Sequence, residues 1–178
     1  MKACNEEETR KSVIDILESF ELELVDYDTN LTKLKYLDRQ ITVHTLQEML
    51  GHPNDKLRYY ASDMLLELEP GASLEALLPL LQDHDKHLRY NLCTKLCYFG
   101  NSRAVDALIH VLNKDQSSDV RLMAAVALGR IGDPRAVLAL QQAVTDDFEC
   151  DFQGEPISYA AARAIQNIIN TAANTLNE

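Results

Sequence analysis

Residues 119–140 read DVRLMAAVALGRIGDPRAVLAL, and their spacing decides the fold. Counted from Arg121, Val120 stands at −1, Ala124 and Ala125 at +3 and +4, Leu128 at +7 and Ile131 at +10. A helix turns about 100° per residue, so these side chains share one face. Gly132 then offers a left-handed helix end, and Pro134 fits a first helical turn, where its missing N–H costs nothing.

The same frame recurs on both sides. It fits Arg58 with Leu57, Ala61, Ser62, Leu65 and Leu68. It fits Arg89 with Leu88, Leu92, Cys93, Leu96 and Phe99. It fits Ser158, with the arginine lost, through Ile157, Ala161, Ala162, Ile165 and Ile168. The last spacing is long because TDDFECDFQGEP, residues 145–156, is inserted. A second apolar helix precedes each of these, over 42–50, 74–82, 103–113 and 134–144. Each unit is thus helix A, a turn and helix B. Such a hairpin covers its apolar face only by stacking on neighbours. The expected units are 41–70, 73–99, 102–132 and 134–170. Residues 1–40 are expected to cap them as a degenerate hairpin, with Val13, Ile16, Leu17, Phe20 and Leu24 on its first helix and Leu31, Leu34 and Leu37 on its second. Residues 171–178 form a polar tail. Gly51, Gly71 and Gly100, like Gly132, are expected at helix ends.

Composition agrees. The 178 residues hold only 6 Gly and 5 Pro, no Trp, and 46% hydrophobic residues, which favours helices around an aliphatic core in one domain. The net charge is −11, concentrated at the two ends. That disfavours the phosphate backbone of nucleic acid and an anionic membrane surface. No run is apolar enough to span a bilayer, and the charged start MKACNEEETRK lacks a signal-peptide core. A cytoplasmic setting, with Cys4, Cys93, Cys97 and Cys150 reduced, is expected.

Residues 41–170 resemble HEAT repeats, and the third unit is similar to the short HEAT-like repeats of phycobilisome bilin lyases. The pattern carrying this is D-V-R-x-x-A-A-x-A-L-G-x-I-G-D-P-R-A-V over 119–137. A second element is an aspartate six residues before the helix-B arginine: Asp83 with Arg89, Asp115 with Arg121. The resemblance implies a right-handed all-α solenoid in which an Asp–Arg ladder links successive units. The ladder is expected to break where His52 stands six before Arg58 and where Ser158 replaces the last arginine.

The resemblance also places the B helices on the inner, concave surface. Positions +1, +5 and +9 lie opposite the core stripe. They comprise Tyr59, Tyr90, Leu122 and Tyr159; Asp63, Thr94, Val126 and Arg163; Glu67, Tyr98, Arg130 and Asn167. Four of the seven tyrosines fall here. Tyrosine and arginine are enriched where proteins bind proteins. Exposed Leu122 and Val126 beside Tyr90 would add an apolar patch. The alternative is that these tyrosines merely pack between neighbouring B helices.

The insert, with Phe148, Asp151 and Phe152, is a second candidate. Its acids and aromatics suit a basic partner, although the phenylalanines are expected to tuck under the last hairpin. It is no calcium loop: Phe152 stands where a glycine is needed and Ser158 where a glutamate is needed. Cys93 and Cys97 share a helix face, but Cys93 fills the small slot of Ser62, Ala125 and Ala162, so packing is expected. His87 is assigned to turn chemistry. No phosphate-binding, dinucleotide, zinc or hydrolase motif is present.

The expected function is a non-enzymatic scaffold, monomeric, without cofactor or metal, holding another protein that bears a basic patch. The alternative implied by the resemblance is a bilin lyase or phycobilisome-degradation subunit holding a phycocyanobilin-type bilin and a phycobiliprotein.

Overall fold

The computed structural model describes residues 2–21, 26–71, 73–99 and 101–175. Leu24, Gly100, the Cys4 side chain and the end of the tail lie outside the described residues. The described chain is helical, with an isolated β-bridge between Cys150 and Pro156. It gathers into two compact units, residues 1–77 and 78–178.

In the first unit, α1 (Lys2–Glu21) and α2 (Tyr27–Lys35) are followed by α3 (Arg39–Met49), α4 (Asp55–Leu68) and the single turn α5 (Leu74–Leu77). Helix starts are chemically marked. Asp26, Asp38 and Asn54 accept hydrogen bonds from the backbone N–H groups of Thr29, Ile41 and Lys56, satisfying donors that a helix leaves unpaired. α1 packs on α3 and α4; Val13, Leu17 and Phe20 on α1 are buried, as are Leu46 on α3 and Leu57, Ala61 and Leu65 on α4. Leu31 and Leu34 are buried from α2, while Leu37 beyond its end is half-buried.

In the second unit, a 3-10 turn (Leu78–Gln82) precedes α6 (Lys86–Phe99). The hairpins α7 (Val105–Lys114) with α8 (Ser118–Ile131), and α9 (Val137–Asp146) with α10 (Ile157–Thr175), follow. α8 packs between α6 and α10, and α7 and α9 pack behind them. The B helices thus form one layer and the A elements another, as in an α-solenoid. The core stripe is buried as spaced: Leu88, Leu92 and Leu96; Val120, Ala124 and Leu128; Ile157, Ala161 and Ile168. Phe99, Ile131 and Ile165 are half-buried. Ala125 is buried in its small slot, whereas Ala162 at the same slot of α10 is exposed.

Two expectations need correction, and Gly51, Gly71 and Gly132, expected near helix ends, lie there. The helix expected over 74–82 is one α turn and then 3-10, because Pro79 has no N–H to bond the carbonyl four residues back. The A helices expected from 103 and 134 likewise open with 3-10 turns, capped by the Asn101 and Asp133 side chains. Among Gly51, Gly71 and Gly132, only Gly132 has a left-handed backbone, at φ 77°. Its N–H closes on the Leu128 carbonyl at 3.1 Å.

Candidate functional site

The arginines of the frame carry the inter-repeat ladder. Arg89 donates to the Asp83 carbonyl at 2.7 Å, within its own turn. Its Nε and Nη2 then reach the two carboxylate oxygens of Asp115, one repeat on, at 2.6 and 2.9 Å. Arg121 repeats the geometry: its Nη1 donates to the Asp115 carbonyl at 2.9 Å, and its Nε reaches Asp147 at 2.7 Å. Each guanidinium thus ties its own turn to the next through a paired contact. The Asp115 hydrogen bond raises the Arg89 pKa, and the Asp147 bond that of Arg121, against the desolvation that lowers them.

This corrects the expectation that the ladder ends at the insert. Asp147 is eleven residues before Ser158 rather than six, so the motif spacing missed it. A second signal was in the sequence: 26 residues separate Arg89 from Asp115, and the same number separate Arg121 from Asp147. At the other end Arg58 is buried, donates to the His52 carbonyl at 2.8 Å and pairs with Asp55 at 2.7 Å.

The face opposite the core stripe divides between the two units. In the first, Asp63 is buried and accepts a short hydrogen bond from the Tyr27 hydroxyl, which corrects its expected exposure. Burial and the Asp63 carboxylate raise the Tyr27 pKa above its ordinary value, so the phenol stays the donor. Tyr59 is half-buried and meets Tyr60 edge-on, with centroids 5.4 Å apart, while Phe20 stacks on Tyr60 at 4.4 Å. These contacts match the packing alternative for Tyr59. The cap helices bring in Phe20 and Tyr27, which the repeat frame does not include.

In the second unit the layer α6–α8–α10 leaves aromatic surface open. Tyr98 is 68% exposed and Tyr159 57% exposed. The Arg130 guanidinium lies 5.2 Å from the Tyr98 ring centroid, across two helices. Arg163 lies 5.7 Å from that of Tyr159 and 3.4 Å from Glu155. Val126 and Tyr90 are half-buried between them. Burial raises the Tyr90 pKa, and the carboxylates of Asp119 and Asp151 add to the rise. Leu122 is only 7% exposed, so the expected apolar patch of Leu122 and Val126 is not on the surface. Leu122 lies on α8, which packs between α6 and α10, whereas the exposed Tyr159 at the same position lies on α10.

Cys93 and Cys97 are buried free thiols. Desolvation pushes the Cys93 pKa up to about 12 and also raises that of Cys97. The thiolate is the reactive form, so near pH 8 Cys93 stays protonated and inert. Peptide mapping after iodoacetamide treatment at that pH is expected to find Cys150 modified and Cys93 untouched until denaturant is added. Labelling of Cys93 in the folded protein at the Cys150 rate would show that it is not packed. His87 is exposed in the first turn of α6, and its backbone N–H donates to the Asp85 side chain at 2.9 Å. Among the described residues, no group of three or more His, Cys, Asp or Glu side chains converges as a metal would need. Among them too, no helix is long and apolar enough to cross a membrane.

The insert is ordered by its own hydrogen bonds. Asp151 Oδ1 accepts from the N–H groups of Gln153 and Glu155 at 2.9 and 2.8 Å. Gly154 turns at φ 83°. The Phe152 N–H donates to Asp119 at 2.8 Å. Phe148 and Phe152 are 69% and 71% exposed, so they do not tuck under the last hairpin.

No curated protein matches the chain. The frame of paired helices, its buried core stripe and the Arg–Asp ladder coincide with a family match: residues 74–153 fit the family model for HEAT repeats.

Proposed function

We propose that the chain is a non-enzymatic binding module that holds another protein on the α6–α8–α10 face of residues 78–178. HEAT repeats commonly serve as protein-interaction modules. The observation that carries the reading is the pair of exposed tyrosines, Tyr98 and Tyr159, each beside an arginine on one helical layer. Tyrosine offers a large contact area with few rotamers to freeze, and the neighbouring guanidinium orients the ring before any partner arrives. The chain's acidity, at net −11, favours partners with a basic patch through electrostatic steering.

The test compares wild type with a Tyr98→Ala/Arg130→Ala protein in affinity purification from the native cell, read by mass spectrometry. Neither side chain is in the core, so the melting temperature is expected to stay within about 2 °C. A central tyrosine at an interface is worth roughly 2 kcal/mol, so the cognate partner should bind about 30-fold more weakly. Recovery of the same partner at the same level by both baits would remove this face as the site.

A further inference from the structure

Residues 147–156 leave the repeat frame and fold on themselves. The Ile157 N–H donates to the Glu149 carbonyl at 2.9 Å, and the Ser158 N–H to the Asp147 carbonyl at 3.0 Å. The Asp151 N–H and Glu155 carbonyl close the loop at 3.0 Å. Arg121 clamps its start through Asp147 and Glu149, and Asp119 holds Phe152 by its backbone. The loop is therefore preorganised, and what it presents is two phenylalanine rings about two-thirds in water. Residues 145–156 also carry five carboxylates and no lysine or arginine; two guanidiniums from outside the loop face three of them, Arg121 on Asp147 and Glu149 and Arg163 on Glu155, which leaves an excess of negative charge. Asp146 and Glu149 are exposed among them.

We propose that this loop is a docking element for an arginine- or lysine-bearing segment of a partner protein, separate from the Tyr98–Tyr159 face. Charge complementarity selects the occupant. A guanidinium or ammonium can stack on a phenylalanine face while a neighbouring carboxylate takes its N–H groups. A purely apolar partner would desolvate the carboxylates without pairing them. An anionic membrane or a nucleic acid would be repelled. Exposed aromatic surface fixed by a hydrogen-bonded frame also costs less to immobilise on binding than the same rings on a mobile loop.

The experiment measures fluorescence anisotropy of a labelled ten-residue peptide alternating arginine and alanine, at near-physiological salt. The same length alternating glutamate and alanine is the control. The proteins are wild type, Phe148→Ser/Phe152→Ser and Tyr98→Ala/Arg130→Ala. Both phenylalanines are exposed, so the serine variant should keep its melting temperature, which is checked alongside. Wild type is expected to saturate with the arginine peptide. The serine variant, with every carboxylate intact, is expected to bind at least tenfold more weakly. The Tyr98/Arg130 variant is expected to bind as wild type does, so failure of this site is told apart from failure of the helical face. Equal binding by the serine variant would mean that net acidity alone attracts the peptide, and would overturn the proposal. So would absence of saturation by wild type, or a preference for the glutamate peptide.

Discussion

An Arg121→Ala protein is expected to melt about 5–15 °C below wild type in differential scanning calorimetry. The Arg121 guanidinium donates to the Asp115 carbonyl, to both carboxylate oxygens of Asp147 and to Glu149. Its side chain is 11% exposed and that of Asp147 17%. Removing the arginine strands a largely buried carboxylate, and breaking such a pair costs about 3–5 kcal/mol when burial is complete. Residual solvent contact discounts this to roughly 2–4 kcal/mol. The loss is not restored by Arg121→Lys, because an ammonium cannot hold the two Asp147 oxygens and the Asp115 carbonyl in one plane. The same substitution should loosen the insert, whose first residues Arg121 clamps, so limited proteolysis at 147–156 should quicken. A melting temperature within about 1 °C of wild type would reduce the ladder to an ordinary surface ion pair.

The second large effect concerns the packing of α8 on α10. A Cβ built on Gly129 would stand 2.6 Å from both the Cα and the Cβ of Ala164. Neither atom lies at the end of a flexible side chain, so the two helices must separate. Alanine in place of glycine gains about 1 kcal/mol of helix propensity. Overpacking a tight contact costs typically 1–3 kcal/mol, and a backbone neighbour puts this contact at the upper end. Gly129→Ala is therefore expected to lower the melting temperature by about 3–6 °C, and Gly129→Val by more. Gly71→Ala is the control: its added Cβ meets nothing within 4 Å and its backbone is not left-handed, so its melting temperature should not fall. An unchanged or raised melting temperature for Gly129→Ala would mean that α8 and α10 do not approach this closely.

Much of the fold was legible because it is periodic. Leu57, Leu88, Val120 and Ile157 share one slot of the frame, and all four are buried. One helical repeat with a fixed period needs only sequence spacing to be recognised. The candidate site was legible in part for the same reason. The +1, +5 and +9 positions do lie opposite the core, and Tyr98, Arg130, Tyr159 and Arg163 are exposed there. Leu122 and Asp63 share those positions and are buried. Position on a helix sets the direction of a side chain, but its exposure depends on its length and on what the neighbouring helices bring.

The sequence by itself determined the all-α class and the core stripe, since both follow from the 3.6-residue period within single helices. Only the tertiary structure decided which groups from different helices meet. It put Arg130 over Tyr98, the Asp63 carboxylate under the Tyr27 hydroxyl, and Ala164 against Gly129. It also left Phe148 and Phe152 in water. The physical reason is that a contact between helices depends on their separation and rotation. Those are set by the sum of all packing in the layer, and no local spacing encodes that sum.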